Sequence, residues 1–232
     1  WDLSAVTNFL RSCTETGIEI NLNRDSINYI YSRESKGLLR EDAEYLAKFL
    51  LPKVKSLDEL VTLTTFCREK LNIGLDDRIG DEGKTLIEHF NKDELLSTPL
   101  ETAAKIAKSN DLKTYILVMH QLGFNGWHDD LGGGQSVFKT TLENCEYLSN
   151  ISNLLQATIE VGIKINLDRS TIDLIWGKGT QRWEDRTQAR IDIIKLFNKF
   201  ENIDWIYVAN KACAGGRHNE LAPDDFVKCL EI

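Results

Sequence analysis

Residues 3–31 and 148–176 are two versions of one stretch. The first reads LSAVTNFLRSCTETGIEINLNRDSINYIY and the second LSNISNLLQATIEVGIKINLDRSTIDLIW, identical at 13 of 29 positions, with most of the others exchanging like for like. A repeat at a fixed offset restricts the available folds more than any local propensity does, because each copy has to satisfy the same pattern. The shared residues are mainly apolar: Leu3 with Leu148, Leu10 with Leu155, Ile18 with Ile163, Ile20 with Ile165, Ile27 with Ile172, Ile30 with Ile175. Burying one such side chain is worth about 1.5–3 kcal/mol, so matching sets imply matching packing. The shared polar residues are few. Asn21 and Asn166 suit backbone capping, and Arg24 with Arg169 and Arg40 with Arg186 suit ion pairs or a solvated face.

The pattern inside each copy is helical. Asp2 can cap a helix carrying Leu3, Val6, Phe9, Leu10 and Cys13 on one side, and Gly17 stops it. Residues 18–22 form a short extended link, after which Asn23 or Asp25 opens a second helix ending at Tyr31. Helices follow over about Arg40–Val54, from the capping-box sequence Ser56-Leu57-Asp58-Glu59, and over about Lys84–Phe90. In the second copy the spacing predicts one helix from Phe138 to Val161 stopped by Gly162, then helices ending at Trp176, over Arg186–Phe200, Ile203–Cys213 and Pro223–Ile232. Beyond the repeat, one extra residue brings Arg40 to Arg186, Ala43 to Ala189, Leu57 to Ile203 and Cys67 to Cys213.

The middle is not duplicated. Thr98-Pro99-Leu100-Glu101 has the form of a helix start. The next helix, with Tyr115, Ile116, Leu117, Val118, Met119 and Leu122, is apolar all round and so is expected to be buried on all sides. Its expected place is between the copies, joining their cores. The chain thus reads as all-α, a helical bundle or helical-repeat-like fold: two copies of a five-helix unit of about 85 residues joined by a central helical hairpin. The expected parts are 1–91 as first unit, 92–136 as connector with a glycine-rich loop, and 137–232 as second unit.

Composition narrows the function. A net charge of −8 disfavours nucleic acid, which needs a basic face. An RNA-binding helical repeat stays as a minor alternative, although such repeats run near 35 residues. The five cysteines form no CxxC pair. Buried free thiols are the expectation, which favours a reducing, intracellular and cytoplasmic setting. No apolar run is long enough to span a membrane. Asn150-Ile151-Ser152 fits the glycosylation triplet but lies in a helical pattern. The chain begins at Trp1, not Met, so a piece of a larger protein is expected.

Catalysis needs an asymmetric set of groups, and residues copied into both halves are poor candidates for one. No serine, cysteine or lysine has a nucleophile context. The acidic run Asp76, Asp77, Asp81, Glu82 lacks calcium-loop spacing, and the glycines at 132–134 and at 177 and 179 follow no strand, as a phosphate loop would require. One constellation stands apart. His128-Asp129 in the glycine loop offers an imidazole and a carboxylate to a divalent metal. In an all-helical chain this pair resembles that of HD-type phosphohydrolases. The resemblance implies a metal-dependent phosphohydrolase with His89 or His120 as first ligand and Asp168 or Asp173 as last. The pair lies in a loop, not at a helix end, so the solvated-loop reading is preferred.

Stacked helical units make extended binding surfaces, and aromatics dominate interfaces. Trp127, Trp183 and Tyr207 are the candidate contact residues, with core anchoring as the competing role for the two loop tryptophans. The expected function is a non-catalytic protein–protein interaction or assembly scaffold without cofactor. Its expected partner is a protein, self-association included.

Overall fold

The backbone amides decide where the helices begin and end, because the first and last turns leave groups that only a cap can satisfy. In the computed structural model, which describes residues 2–79, 83–109, 111–180, 186–213 and 221–230, side chains supply several of those caps. The Asp2 carboxylate accepts from the Ala5 N–H at 2.9 Å and starts α1 (Leu3–Glu15). Asn23 does the same for Ser26 at 2.8 Å and starts α2 (Arg24–Tyr31). Asp168, at the position matching Asn23, accepts from Thr171 at 2.8 Å.

The chain divides into two compact units, Trp1–Ser97 and Thr98–Ile232. In the first, α3 (Arg40–Leu50) runs into a 3-10 turn, Leu51–Lys53, and is followed by α4 (Leu57–Lys70), a second 3-10 turn at Ile87–His89 and the short α5 (Lys92–Leu95). Both α1 and α4 pack on α3. The core holds Leu3, Leu10, Ala43, Leu46, Leu50, Leu60 and Val61, all buried, together with Ile30. Ile18 of the matched set is instead 60% exposed and Ile20 and Ile27 are half-buried, so the matched residues do not all pack alike.

The second unit comprises α6 (Pro99–Ile106), α7 (Leu112–Gln121), α8 (Val137–Asn144), α9 (Leu148–Glu160), α10 (Arg169–Trp176), α11 (Arg186–Phe197), α12 (Trp205–Cys213) and α13 (Pro223–Leu230). Here α9 is flanked by α7 and α11, while α8 lies on both α6 and α10. α12 lies on α10 and α13. No strand occurs among the described residues, which hold two isolated bridges, Ile79 with Lys84 and Tyr147 with Gly179.

The matched stretches share their turns. Gly17 and Gly162 take φ of 73° and 72°, a left-handed conformation that glycine adopts without steric cost. In each case the next residue reaches back to close the helix: Ile18 N–H to the Cys13 carbonyl at 2.8 Å, Ile163 N–H to the Thr158 carbonyl at 2.9 Å. The first helical amide of each copy is tied to the loop after the second helix: Leu3 N–H to Glu34 at 3.0 Å, Leu148 N–H to Gly179 at 2.9 Å.

Several expectations change. The long helix from Phe138 to Val161 is two helices, because the backbone turns extended at Cys145 and restarts at Tyr147, whose N–H donates to the Asn150 side chain at 3.2 Å. Lys84–Phe90 contributes only a 3-10 turn. In α4, Glu59 accepts from the Lys55 N–H at 2.7 Å, and the Ser56 side chain makes no capping bond. α7 buries Leu112, Thr114, Tyr115, Ile116, Val118 and Met119 but is not covered on every side, since Lys113, Leu117 and Gln121 are half-buried and His120 is exposed; with α6 it falls in the second unit.

Candidate functional site

Of the three aromatic candidates, Trp127 is inside. It is 3% exposed and stands edge-on to Tyr115 of α7 and to Phe124, at 6.2 and 5.3 Å between ring centres. It anchors the glycine loop to the core, which is the competing role named for it, and it does not line a contact surface. Trp183 lies outside the described residues. Tyr207 is half-buried in a charged cluster between α10 and α12. Its hydroxyl donates to the Asp173 carboxylate at 2.8 Å, Lys211 pairs with the same carboxylate at 2.7 Å, and Arg169 pairs with Asp204 at 2.8 Å. Lys211 and then Tyr207 hold Asp173 below the usual carboxylate range, and Arg169 does the same for Asp204. The cluster works as a clasp closing α10 on α12.

The His128-Asp129 pair is not joined by further ligands. The His128 Nε2 atom lies 3.0 Å from the Lys164 carbonyl, to which it donates, and its ring stands 5.2 Å from that of Phe138. Asp168 spends its carboxylate on capping α10 and Asp173 on the clasp. Among the described residues no group of three His, Cys, Asp or Glu side chains could hold a metal. The neighbouring Asp130 ties down the glycine run, accepting from Gly132 and Gly134 N–H at 2.8 and 3.0 Å. Asn21 and Asn166 are exposed, and the residues two positions on do the capping.

The thiols follow the packing. Cys13, Cys67, Cys145 and Cys229 are buried and Cys213 is half-buried. Burial pushes the Cys67 and Cys145 thiols up to about 12, so neither is a thiolate nucleophile at neutral pH.

What remains is α2. Of its eight residues only Ile30 is buried, and it has an open concavity on each side. Toward α1 lies an apolar groove of about 390 Å³, formed by Val6, Phe9 and Leu10 of α1, Leu22 of the link, and Asp25, Ser26, Tyr29 and Ile30 of α2. Phe9 is 52% and Tyr29 48% exposed, and the Arg33 guanidinium lies 3.9 Å over the Tyr29 ring. Toward α4 lies a cleft of about 490 Å³ of mixed character, where Arg24, Ile27 and Tyr31 face Lys53, Lys55, Asp58 and Glu59. Burial, with Cys67 and Glu59 nearby, raises the Tyr31 hydroxyl well above its ordinary range. Among the described residues Arg24 has no ion-pair partner, whereas Arg169 at the matching position closes the clasp.

Comparison with known protein families, curated proteins and solved structures finds no match to this chain. The site therefore has to be read from its own chemistry. A half-exposed aromatic pair over an apolar floor can hold another apolar surface. Sequence reasoning missed it because Phe9 sits in the same helical stripe as Val6 and Leu10 and reads as core. The signal available was that Tyr29 and Phe9 both become leucine in the second copy. No described helix is long and apolar enough to cross a membrane.

Proposed function

We propose that this protein is a non-catalytic helical interaction module that binds a protein partner, a second copy of itself included among the partners it can hold. The observation that carries this reading is the groove between α1 and α2, where Phe9 and Tyr29 stand half-exposed over Val6, Leu22 and Ile30. Exposed aromatics beside an apolar floor mark contact surfaces. The chemistry elsewhere agrees: carboxylates that cap helices or close ion pairs, and thiols buried in cores, are structural groups. We further infer that the two units descend from one doubled helical block. The shared glycine terminators, N-caps and loop-to-helix bonds support that descent.

The test is to pan a displayed peptide library on the immobilised chain and on Tyr29→Glu. Ligands that bind the chain and not the variant are expected. Recovery only of ligands indifferent to Tyr29→Glu would overturn the assignment of the surface. Light scattering over a wide concentration range separately reads self-association, and a strict monomer would remove a second copy from the partners.

A further inference from the structure

The second unit contains the surface that matches the α1/α2 groove, and there the chain covers it with its own helices. α7 lies against α9, and Leu154, at the place of Phe9, is 0% exposed. α8 lies on α10, where Phe138 and Leu142 are buried. Phe138, Lys139 and Leu142 of α8 face Ser170, Thr171 and Leu174 across one shared pocket. Those last three positions correspond to Asp25, Ser26 and Tyr29, which line the groove in the first unit. The same wall that receives α8 in the second unit lines an open groove among the described residues of the first.

We propose that the α1/α2 groove is the receptor for an amphipathic helix of another protein, one presenting an aromatic residue and a leucine one turn apart. Residues four apart share a helix face, so Phe138 and Leu142 line the pocket against α10 together. Helix-in-groove docking uses such anchors at i and i+4. The charge is specified as well. Lys139 follows the aromatic in α8 and lines the shared pocket, and the first unit offers it Asp25 where the second has Ser170. The ligand pattern is therefore aromatic, basic, two spacers, leucine. The proposal rests on the interaction-module reading and adds the partner's chemistry to it.

The experiment uses a fluorescent peptide of residues 135–147 carrying Cys145→Ser, titrated into the full chain and followed by anisotropy. Saturable binding is expected, weakened about tenfold or more by Phe138→Ala with Leu142→Ala in the peptide, and equally by Tyr29→Glu in the protein. Circular dichroism checks that the variant is folded. A charge swap supplies an independent arm: Asp25→Lys weakens binding about threefold, and a Lys139→Glu peptide restores it. Binding indifferent to both Tyr29→Glu and Asp25→Lys would mean exchange with α8 in its own unit and would overturn the proposal. So would dimerisation of the chain that Tyr29→Glu abolishes, since that gives the groove to a second copy. If this peptide fails while panned ligands still depend on Tyr29, the partner chemistry falls and the module reading stands. If neither binds, both fall.

Discussion

Helices α2 and α10 are the same length, begin with the same kind of side-chain cap and end with the same turn, yet one is held far more firmly. α10 buries Ile172, Ile175 and Trp176, while α2 buries Ile30 alone. The difference lies in what surrounds each. α10 has α8 on one side and the Arg169–Asp204 and Lys211–Asp173 clasp to α12 on the other. α2 has a groove and a cleft in those places. A helix's own residues set where it starts and stops, and its neighbours set how much of it leaves water. Two nearly equivalent stretches can thus serve as core in one setting and as surface in another.

The largest expected effect comes from matched isoleucines. Ile172→Ala is expected to cost about 3 kcal/mol and Ile27→Ala, half-buried at the cleft, about 1 kcal/mol, by urea unfolding. Equal costs would break the contrast between the two helices. The turns should behave alike instead. Gly17→Ala and Gly162→Ala each force a left-handed alanine into open space and are expected to cost about 1–2 kcal/mol apiece. A cost found at only one of them would mean the terminators are not equivalent.

The smallest effect is electrostatic and belongs to α10. Asp173 and Asp204 are held below their ordinary range in the folded state, by Lys211 and Arg169 first. Their stabilisation is therefore complete above the unfolded carboxylate value of about 3.9 and is lost as pH falls through the lower folded values. Thermal unfolding from neutral pH down to about pH 2 is expected to show a shallower acid dependence in Asp204→Asn than in the unaltered chain, an effect reduced by salt. An unchanged slope would show that the clasp does not help to hold α10 on α12.

The helix start at Asp2 and the stops at Gly17 and Gly162 were legible because capping and left-handed turns are local chemistry, and the start of α2 was narrowed to Asn23 or Asp25. The burial of α7 was legible in part: most of its apolar residues are buried, while Lys113, His120 and Gln121 mark the face that stays partly open. The break between α8 and α9 was legible in principle, since Tyr147 stands where Asp2 does, but the unbroken run of apolar residues concealed it. Phe9 and Trp127 were not legible. One reads as core and is half-exposed; for the other the sequence leaves contact residue and core anchor both open, and it is buried against Tyr115. Each outcome depends on how the helices and loops pack on one another, and no local pattern carries that information. The wall of the groove could be recognised only once α8 was seen against α10.

The buried cysteines give each half of the molecule its own reporter. Cys13 and Cys67 lie in the first unit, Cys145 and Cys229 in the second. Alkylating reagents reach such sulfurs only through local or global opening. The order in which mass spectrometry finds them modified therefore records which half breathes first, without any label being engineered.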